Sequence, residues 1–337
     1  MKKAYYKNRQ EWETLRNELI ADGRIGGSMV GTACGLDPWK SPYRLWAEMT
    51  GLIEREDLSA REAIIVGTDL EDYVAERFCR LTGKKVHREN CIMTSDEAPH
   101  LFASIDRKVT GEESGLECKT ASAYRDGAFA DGNFPDGYFR QVKTYLKVTG
   151  LDRWYLAVLI MGIDFRVFLV TTKLSDLEAL PPWVSGARHV SPMELDECET
   201  DAAHFIEDHV RAVVPPPMAG SEDERDAVNL VNGGTSSGTS QLASSVDALI
   251  ARRSELKKSG DAAKEELVKV ENEIIAALNG AETGLTDSWK VTYKYADTRR
   301  LNADAIKAAL GTDIPEAFYK VSRGPTLRIS PVKKNFK

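Results

Sequence analysis

The run Ser104–Lys119, SIDRKVTGEESGLECK, decides the fold. Its alternating residues lead into Gly-Glu-Glu-Ser-Gly and then a second short strand, which predicts a β-hairpin. Successive side chains of a strand point to opposite faces, so Glu117 and Lys119 project together, with Asp106 beside them on the preceding strand. Two converging carboxylates repel each other, but a divalent cation would neutralise them and leave the lysine to orient a water molecule. Taken alone, the run fits equally well an exposed hairpin with an incidental ion pair between its strands.

Length and composition indicate a soluble protein of two domains. The chain has 337 residues, of which 42% are hydrophobic and 29% charged, as is usual for globular proteins. It contains no apolar run of about 18 residues, and its first residues are too polar for a secretory signal. We therefore expect a cytoplasmic protein, in a bacterium or a phage-infected host cell, with no membrane partner.

Cysteine and histidine spacing argues against two kinds of metal site. The five cysteines include no C-x-x-C pair, whereas an iron–sulfur cluster needs four grouped thiolates. The five histidines lack the H-E-x-x-H spacing that is typical of many zinc enzymes. A hard cation bound by oxygen ligands remains the better hypothesis.

Charge is distributed unevenly along the chain. The net charge of −7 argues against a protein that coats nucleic acid over its whole surface. The stretch 284–337, in contrast, carries eleven Lys and Arg against five Asp and Glu. Its basic side chains alternate with aromatic ones over 289–295, a pattern that fits either a nucleic-acid surface or an ordinary solvated sheet face.

Composition also predicts the domain boundaries. Residues 1–214 form the first domain, and Pro215–Ser240, rich in Pro, Gly, Ser, Thr and acids, reads as a flexible linker. Residues 241–337 form a C-terminal region, which begins with a coiled-coil-like helix over Gln241–Asn279. A small basic α+β module follows, with a strand over Trp289–Tyr295, a helix over Asn302–Leu310 and a strand around Thr326–Ile329.

Three polar positions near predicted helices have two interpretations each. Ser28, after Arg24 and two glycines, suits either a plain helix N-cap or an anion site beside the arginine. Glu71 completes a capping box with Thr68 at the start of a helix over 69–81, yet it borders that helix's apolar face and could supply a third metal oxygen. Gln141 lies within the apolar stripe of a helix over 138–148, where a buried amide needs a hydrogen-bond partner.

These segments together resemble the lambda exonuclease / YqaJ-type viral recombinase family of the RecB-like PD-(D/E)xK nucleases. The matching motifs are RIGGS (24–28), LDPWKSPYRLW (36–46), GTDLEDYVAERF (67–78), ASIDR (103–107), LECKT (116–120) and QVKTY (141–145). The resemblance covers about residues 22–172. It departs from the family pattern at Ile105, where a proline usually precedes the motif aspartate.

The resemblance implies an α/β (α+β) fold with a restriction-endonuclease-like core, in which a mixed central sheet is flanked by helices. It implies that Mg²⁺, or Mn²⁺ as a substitute, binds Glu71, Asp106, Glu117 and the backbone carbonyl of Cys118. Lys119 would position the attacking water and help to deprotonate it, supported by Gln141 with Tyr145. The implied pocket for a DNA 5′-phosphate consists of Arg24, Ser28, Ser104 and Arg125.

The function that this resemblance implies is a Mg²⁺-dependent exonuclease. Such an enzyme resects linear duplex DNA 5′→3′ from phosphorylated ends and leaves 3′ overhangs for recombination by single-strand annealing. The implied partners are double-stranded DNA ends, a single-strand annealing protein and further copies of the chain, with a trimer suggested. Two alternatives remain: a PD-(D/E)xK endonuclease, and a scaffold that binds DNA ends without strong catalysis.

Overall fold

A computed structural model describes residues 1–233, 239–294 and 308–309 of the chain. The chain divides into two compact units, Met1–Gly234 and Thr235–Lys337.

The first unit alternates short strands with helices, and its central part is formed by strands. The strands are β1 (Lys2–Tyr5), β2 (Ile25–Gly26), β3 (Val86–His87), β4 (Cys91–Ser95), β5 (Ala98–Ala103), β6 (Arg107–Val109), β7 (Ser114–Ala121), β8 (Arg153–Ile160), β9 (Asp164–Thr171) and β10 (Gly186–His189). The helices are α1 (Arg9–Ala21), α2 (Gly27–Ala33), α3 (Pro42–Met49), α4 (Glu62–Thr82), α5 (Asp136–Thr149), α6 (Pro192–His204) and α7 (Glu222–Val231). Short 3₁₀ helices span Ala123–Gly132 and Leu174–Leu177, and a π-helical turn, Phe205–Arg211, continues α6.

Two mixed sheets organise this unit. The larger has the strand order β10-β9-β8-β7-β6-β3, and the smaller has the order β1-β4-β5-β2. In the larger sheet β7 pairs antiparallel with β6 and parallel with β8. It is therefore an interior strand, hydrogen-bonded along both edges. Helices flank both sheets, and the predicted mixed α/β fold class is confirmed.

The predicted central hairpin is present as β6 and β7, with Arg107 opposite Leu116. One detail differs: β5 belongs to the smaller sheet and β6 to the larger, so the run LFASIDRKV is not one strand. Asp106 lies in the bend immediately before β6. The chain therefore changes sheets at the residue that carries the first predicted carboxylate.

Two hydrophobic clusters pack on either side of the larger sheet. Trp154 on β8 is fully buried and lies against Gly115 on β7, where a Cβ would come within 2.4 Å of the indole ring. Only glycine leaves room for that ring, because real Cβ atoms do not approach other heavy atoms so closely. The opposite face of β7 is covered by α4, through Val74 and Phe78.

Two helix starts differ from the sequence prediction. Helix α4 begins at Glu62, with Arg61 in the N-cap position, so Thr68 lies inside the helix and donates to the carbonyl of Ile64. The predicted capping box of Thr68 and Glu71 is therefore wrong. The N-cap of α2 is Gly26, which has no side chain, so Ser28 is in the first turn of that helix rather than at its cap.

Part of the predicted flexible linker is helical instead. Helix α7 packs against α3, where Asp223 accepts hydrogen bonds from the backbone N–H and the hydroxyl of Ser41 at 2.7 and 2.8 Å. The same carboxylate pairs with Arg44. A run of acids and small residues resembles a linker by composition, but here its acids anchor a helix to the first unit.

The described part of the second unit contains one long helix and a strand pair. Helix α8 (Ser245–Ala277) is continuous through Gly260, as the heptad spacing predicted. Strands β11 (Thr283–Leu285) and β12 (Lys290–Thr292) pair antiparallel. The predicted strand around 326–329 and most of the predicted helix over 302–310 lie outside the described residues.

Among the helices that the structure describes, none is both long and apolar enough to cross a membrane.

Candidate active site

The site forms where the bend before β6 meets the middle of β7. Asp106 accepts a 2.8 Å hydrogen bond at Oδ2 from the backbone N–H of Cys118. The backbone pairing of β6 with β7 covers only Arg107 and Lys108. Beyond it, the side chain of Asp106 takes the place of a backbone acceptor for β7. The aspartate is thus fixed next to Glu117 by the strand that carries the glutamate.

Glu117 is held by two donors that reach the same oxygen. Its Oε1 accepts from Lys119 Nζ at 2.5 Å and from Gln141 Nε2 at 2.7 Å. Gln141, on α5, also donates to the hydroxyl of Tyr145 at 2.7 Å. Glu117 is only 2% exposed, and its other oxygen, Oε2, is buried without a hydrogen-bond partner among the described residues.

Charges in this pocket shift one another's protonation. Burial, and then repulsion from Glu117, raises the pKa of Asp106 well above its usual range. Burial lowers the pKa of Lys119, but attraction to Glu117 and Asp106 outweighs it, and the net result is a raised pKa. Lys119 is therefore a cation at neutral pH, which can donate a hydrogen bond but has no lone pair to accept a proton. Burial, followed by the two acids, also raises the pKa of Tyr145, which stays neutral.

Tyr138 is a neighbour of the lysine to which the sequence assigned no role. The ammonium of Lys119 lies 5.4 Å from the centre of the Tyr138 ring, within the range of a cation–π contact. Tyr138 is the third residue of α5, and its ring also stacks with Phe129. The aromatic stripe of α5 thus helps to hold the lysine in position.

Glu71 contributes, after burial and Glu117, to the raised pKa of Asp106, but its own carboxylate pairs with two arginines. Its Oε1 accepts from Arg107 Nη1 at 2.6 Å and lies 3.4 Å from Arg88 Nη2. Arg107, which is almost completely buried, also bonds Asp72 and the carbonyl of Asp106. Arg107 therefore lies between the predicted third metal ligand and the bend that carries Asp106. In the sequence, the position of Arg107 directly after the motif aspartate is the feature that could have indicated this role.

The residues that remain fit a hard divalent cation. Glu117 offers the unpartnered Oε2, and Asp106 uses one of its oxygens for the Cys118 N–H. The Cys118 carbonyl belongs to the same strand. No group of three or more acidic, His or Cys side chains surrounds a common cation position within the described residues. A cation here would rely on two carboxylates, a carbonyl and water, which is a set that suits Mg²⁺.

The four residues predicted for the phosphate pocket are differently placed. Ser104, two residues before Asp106, accepts from Trp12 Nε1 at 2.9 Å. Ser28 is exposed and follows Gly27, which packs so tightly on Tyr145 that a Cβ would come within 2.8 Å of the ring. Both serines thus border the site.

The two arginines of the predicted pocket lack such links. Arg24 pairs with Asp22 at 3.3 Å, and Arg125 lies in the 3₁₀ helix Ala123–Gly132. Within the described parts of the chain, neither arginine has a hydrogen bond or an ion pair with the two serines, with Asp106 or with Glu117.

A different arginine is connected to both serine segments. Arg16 Nη2 lies 3.5 Å from the sulfur of Met29, the residue after Ser28. Its guanidinium is 5.7 Å from the ring centre of Trp12, whose indole bonds Ser104. Burial, and then the nearby Arg55, lowers the pKa of Arg16 to about 10. The i,i+4 spacing of Trp12 and Arg16 on α1 could have revealed this pair from the sequence.

Comparison with known proteins places this site within a recognised domain. Residues 11–152 match the model of the YqaJ-like viral recombinase domain. The uncharacterized protein YqaJ of Bacillus subtilis (strain 168) is 39% identical over 157 residues, which make up 45% of this chain and 49% of that protein. The match thus spans about half the length of the curated relative.

Solved structures with a similar fold include two exonucleases. The alkaline exonuclease LHK-Exo of Laribacter hongkongensis superposes with a TM-score of 0.45 at 17% identity, over 61% of this chain and 94% of the other. A phage-related exonuclease of Haemophilus somnus 129PT gives a TM-score of 0.39 at 13% identity, over 57% and 95%.

The matched segment runs from α1 to the end of α5 and contains Trp12, Asp106, Glu117, Lys119 and Gln141. Over residues 11–152 this chain is therefore similar to the YqaJ-like viral recombinase domain.

Proposed function

We propose that the first unit is a metal-dependent deoxyribonuclease that acts on the ends of duplex DNA. The arrangement of Glu117 carries the proposal. Two donors fix one of its oxygens, and the other is buried, unpartnered and next to a second carboxylate. A protein does not usually bury an unpartnered acid, because desolvation is costly unless a ligand compensates for it.

The side chains have separate tasks in this proposal. Mg²⁺ held by Asp106, Glu117 and the Cys118 carbonyl would supply Lewis acidity and lower the pKa of a bound water. Lys119, being protonated, attracts the scissile phosphate and orients the water rather than removing its proton. Gln141 and the Cys118 N–H fix the two carboxylates in advance. Glu71 could contribute an oxygen only by leaving Arg107.

The end of the duplex would be recognised through its 5′-phosphate. Ser28 and Ser104 border the site. The half-buried Arg16 contacts Met29, next to Ser28, and the ring of Trp12, which bonds Ser104. We place Arg16 in this pocket and regard Arg24 and Arg125 as outer contacts. Anchoring the 5′ end beside the carboxylates would make digestion proceed 5′→3′ and leave a 3′ overhang. Such an overhang is the substrate of a single-strand annealing partner.

The test is a time course of nucleotide release from end-labelled linear duplex, with Mg²⁺ and with EDTA. The wild-type chain should release nucleotides only with Mg²⁺, whereas Lys119→Ala and Glu117→Gln should lose activity by about 100-fold or more, as electrostatic groups at such sites do. Lys108→Ala and Glu112→Gln are matched controls on the same hairpin, where these residues pair with Glu113 and Lys84.

Three results would contradict the proposal. Full activity of Lys119→Ala would remove the lysine from the chemistry. Equal cleavage of circular and linear duplex would favour an endonuclease. Tight binding of DNA ends without any Mg²⁺-dependent cleavage would favour an end-binding scaffold.

A further inference from the structure

Helix α8 has an apolar face that the other described residues of the second unit leave exposed. None of its 33 residues is buried, and Leu249, Leu256 and Leu267 are each more than half exposed. Apolar and small residues, interrupted by Arg253, recur in two series at seven-residue spacing. The first series, in the a positions, is Val246, Arg253, Gly260, Leu267 and Ile274; the second, in the d positions, is Leu249, Leu256, Ala263, Val270 and Ala277. Sustained heptads of this kind are typical of helices that pair with another helix.

Charge disfavours a parallel, in-register pairing of two copies of α8. In a parallel, in-register pair each residue in an a or d position faces itself, so Arg253 would meet Arg253 in the seam. The flanking contacts would join Arg252 to Lys257 and Glu266 to Glu271, which are like charges. Each of these contacts opposes association.

An antiparallel pair of the same helices brings residues of like size together in its central layers, while Arg253 faces Val270 and Val246 faces Ala277 further out. With Gly260 opposite Ala263 near the two-fold axis, Leu256 faces Leu267 and Leu249 faces Ile274. The small residues then share the centre, where the helices can approach closely, and the large residues fill the layers on both sides. We favour this register because a shift by one heptad in either direction would place a leucine opposite Gly260 or Ala263.

Charge also favours the antiparallel pair. The N-terminal half of α8 has more basic than acidic residues, and the half after Gly260 has more acidic than basic residues. In this register Arg252 flanks Glu273 of the second copy, and Arg253 in the seam can reach the same acidic half. In the single chain, Arg252 pairs with the exposed Glu255 at 3.2 Å and with no other described residue. Such an exposed pair is weak and can be replaced by a contact to the second copy. One like-charge pairing, Lys257 with Lys264, opposes the arrangement and occurs twice in the symmetric pair, as the pairing of Arg252 with Glu273 does.

We propose that α8 mediates self-association of the protein as an antiparallel two-stranded coiled coil with a second copy of the chain. The occupant of the apolar face is therefore the same helix in another copy. Exonuclease units at the two ends of such a coil would be held in one complex.

A charge exchange in the full-length protein tests the orientation, with sedimentation velocity over a range of concentrations as the readout. Arg252→Glu should weaken the association about 5- to 30-fold, because it makes two favourable contacts repulsive. The double variant Arg252→Glu/Glu273→Arg should restore it. In a parallel pair, Arg252→Glu would instead strengthen association by meeting Lys257, and that result would overturn the proposal.

A second experiment tests the register independently of any assembly by the first unit. Leu256→Cys protein mixed with Leu267→Cys protein should form a disulfide between the two variants under mild oxidation, identified by peptide mass spectrometry. Leu256→Cys alone should form none with itself through this residue, since no seam position faces itself in the antiparallel register.

The helix must also be shown to be responsible for association. Leu256→Glu/Leu267→Glu should halve the mass of the wild-type assembly at unchanged helical circular dichroism, because both leucines are exposed in the single chain. An unchanged mass, or a disulfide between two Leu256→Cys chains, would show that another segment or another geometry covers the face.

Discussion

Gln141 Nε2 lies 2.7 Å from Oε1 of Glu117, the same oxygen that accepts from Lys119. The amide comes from α5 and the carboxylate from β7, so one hydrogen bond joins the helix to the strand at the reacting position. Gln141 is buried, and its other contact is the hydroxyl of Tyr145. Its task is therefore to fix one rotamer of Glu117, whose other oxygen, Oε2, has no hydrogen-bond partner among the described residues.

Gln141→Met should lower kcat of the proposed nuclease by about 10- to 100-fold, since a hydrogen bond to a charged group is lost within a buried pocket. Tyr145→Phe is the matched comparison, because it keeps the bond from Gln141 to Glu117 and removes the hydroxyl that contacts both of these residues. We expect a smaller loss for this variant. Steady-state kinetics on linear duplex separates the two, and equal losses would show that Gln141 acts through Tyr145 instead.

Asp106 should limit the stability of the protein in the absence of metal. Its pKa is raised in the folded state, so the folded protein holds this proton at pH values where the unfolded chain has released it. Stability from this group is therefore present below the unfolded pKa of about 3.9 and is lost as pH rises through the folded pKa. Asp106→Asn should raise the free energy of unfolding at neutral pH by roughly 1 kcal/mol or more, while it abolishes cleavage.

Glu112→Gln is the control with the opposite sign. Burial opposes ionisation of Glu112, but its bond to Lys84 and the other contacts outweigh this effect and lower its pKa. Its stabilising contribution is thus present above the unfolded pKa of the glutamate and is lost as pH falls. Denaturant unfolding in EDTA at several pH values compares the variants. A neutral-pH destabilisation by Asp106→Asn would contradict the electrostatic account of the site.

Mg²⁺ should stabilise the wild-type chain because it relieves the repulsion between Asp106 and Glu117. A ligand present at 100 times its Kd adds about 2.7 kcal/mol to folding stability, which is several degrees in Tm for a protein of this size. Asp106→Asn and Glu117→Gln should lose most of this shift, whereas Glu112→Gln should keep it. Thermal melts with Mg²⁺, Mn²⁺ and EDTA measure the effect. Equal shifts in all four proteins would place the cation elsewhere.

Gly115→Ala should destabilise the first unit by about 1–3 kcal/mol, which is the usual cost of inserting a methyl group into a packed core. The added Cβ would meet the Trp154 ring at 2.4 Å, and the fully buried indole has no free space into which it can move. Gly127→Ala is the control, because a Cβ there meets nothing within 4 Å. Denaturant unfolding measures both. Equal stability of the two variants would show that Trp154 can repack.

Local pattern was sufficient to predict the hairpin and the carboxylate–lysine set. Strand alternation places Glu117 and Lys119 on one face, and the Gly-containing turn of this hairpin brings Asp106 back to them. The helical stripe of α5 likewise indicated that Gln141 is buried. These features depend on neighbours within about 40 residues of sequence, where backbone periodicity fixes side-chain direction.

The remaining features depend on tertiary contacts that no local pattern contains. Arg107 bonds Glu71 because the start of β6 lies next to α4 in the fold. The distance between these two elements could not be predicted from the sequence. Helix α7 forms where composition favoured a linker, because Asp223 pairs with Arg44, which is 179 residues away along the chain. The position of Arg16 has the same kind of cause, because the packing of α1 against β4 and the bond from Trp12 to Ser104 decide which cation lies near the two serines.

Arg16→Ala should reduce the preference of the proposed nuclease for 5′-phosphorylated over 5′-hydroxyl ends. Arg16 is half-buried and contacts Met29, next to Ser28, and Trp12, which bonds Ser104. A partly desolvated guanidinium that forms no ion pair within the described residues is suited to binding phosphate. We expect the loss on phosphorylated ends to be about 10- to 100-fold, with little change on hydroxyl ends. Arg9→Ala is the matched control, because Arg9 lies on the same helix at 5.3 Å from the same Trp12 ring but pairs with the exposed Glu13.

Arg24→Ala and Arg125→Ala complete this comparison, because the sequence first assigned the phosphate to these residues. Arg24 already has Asp22 as a partner, so its removal should change the end preference less than that of Arg16. The measurement is the ratio of initial rates on the two kinds of end for each variant. If Arg24→Ala abolishes the preference and Arg16→Ala keeps it, the phosphate binds next to the N-terminus of α2 rather than beside Trp12.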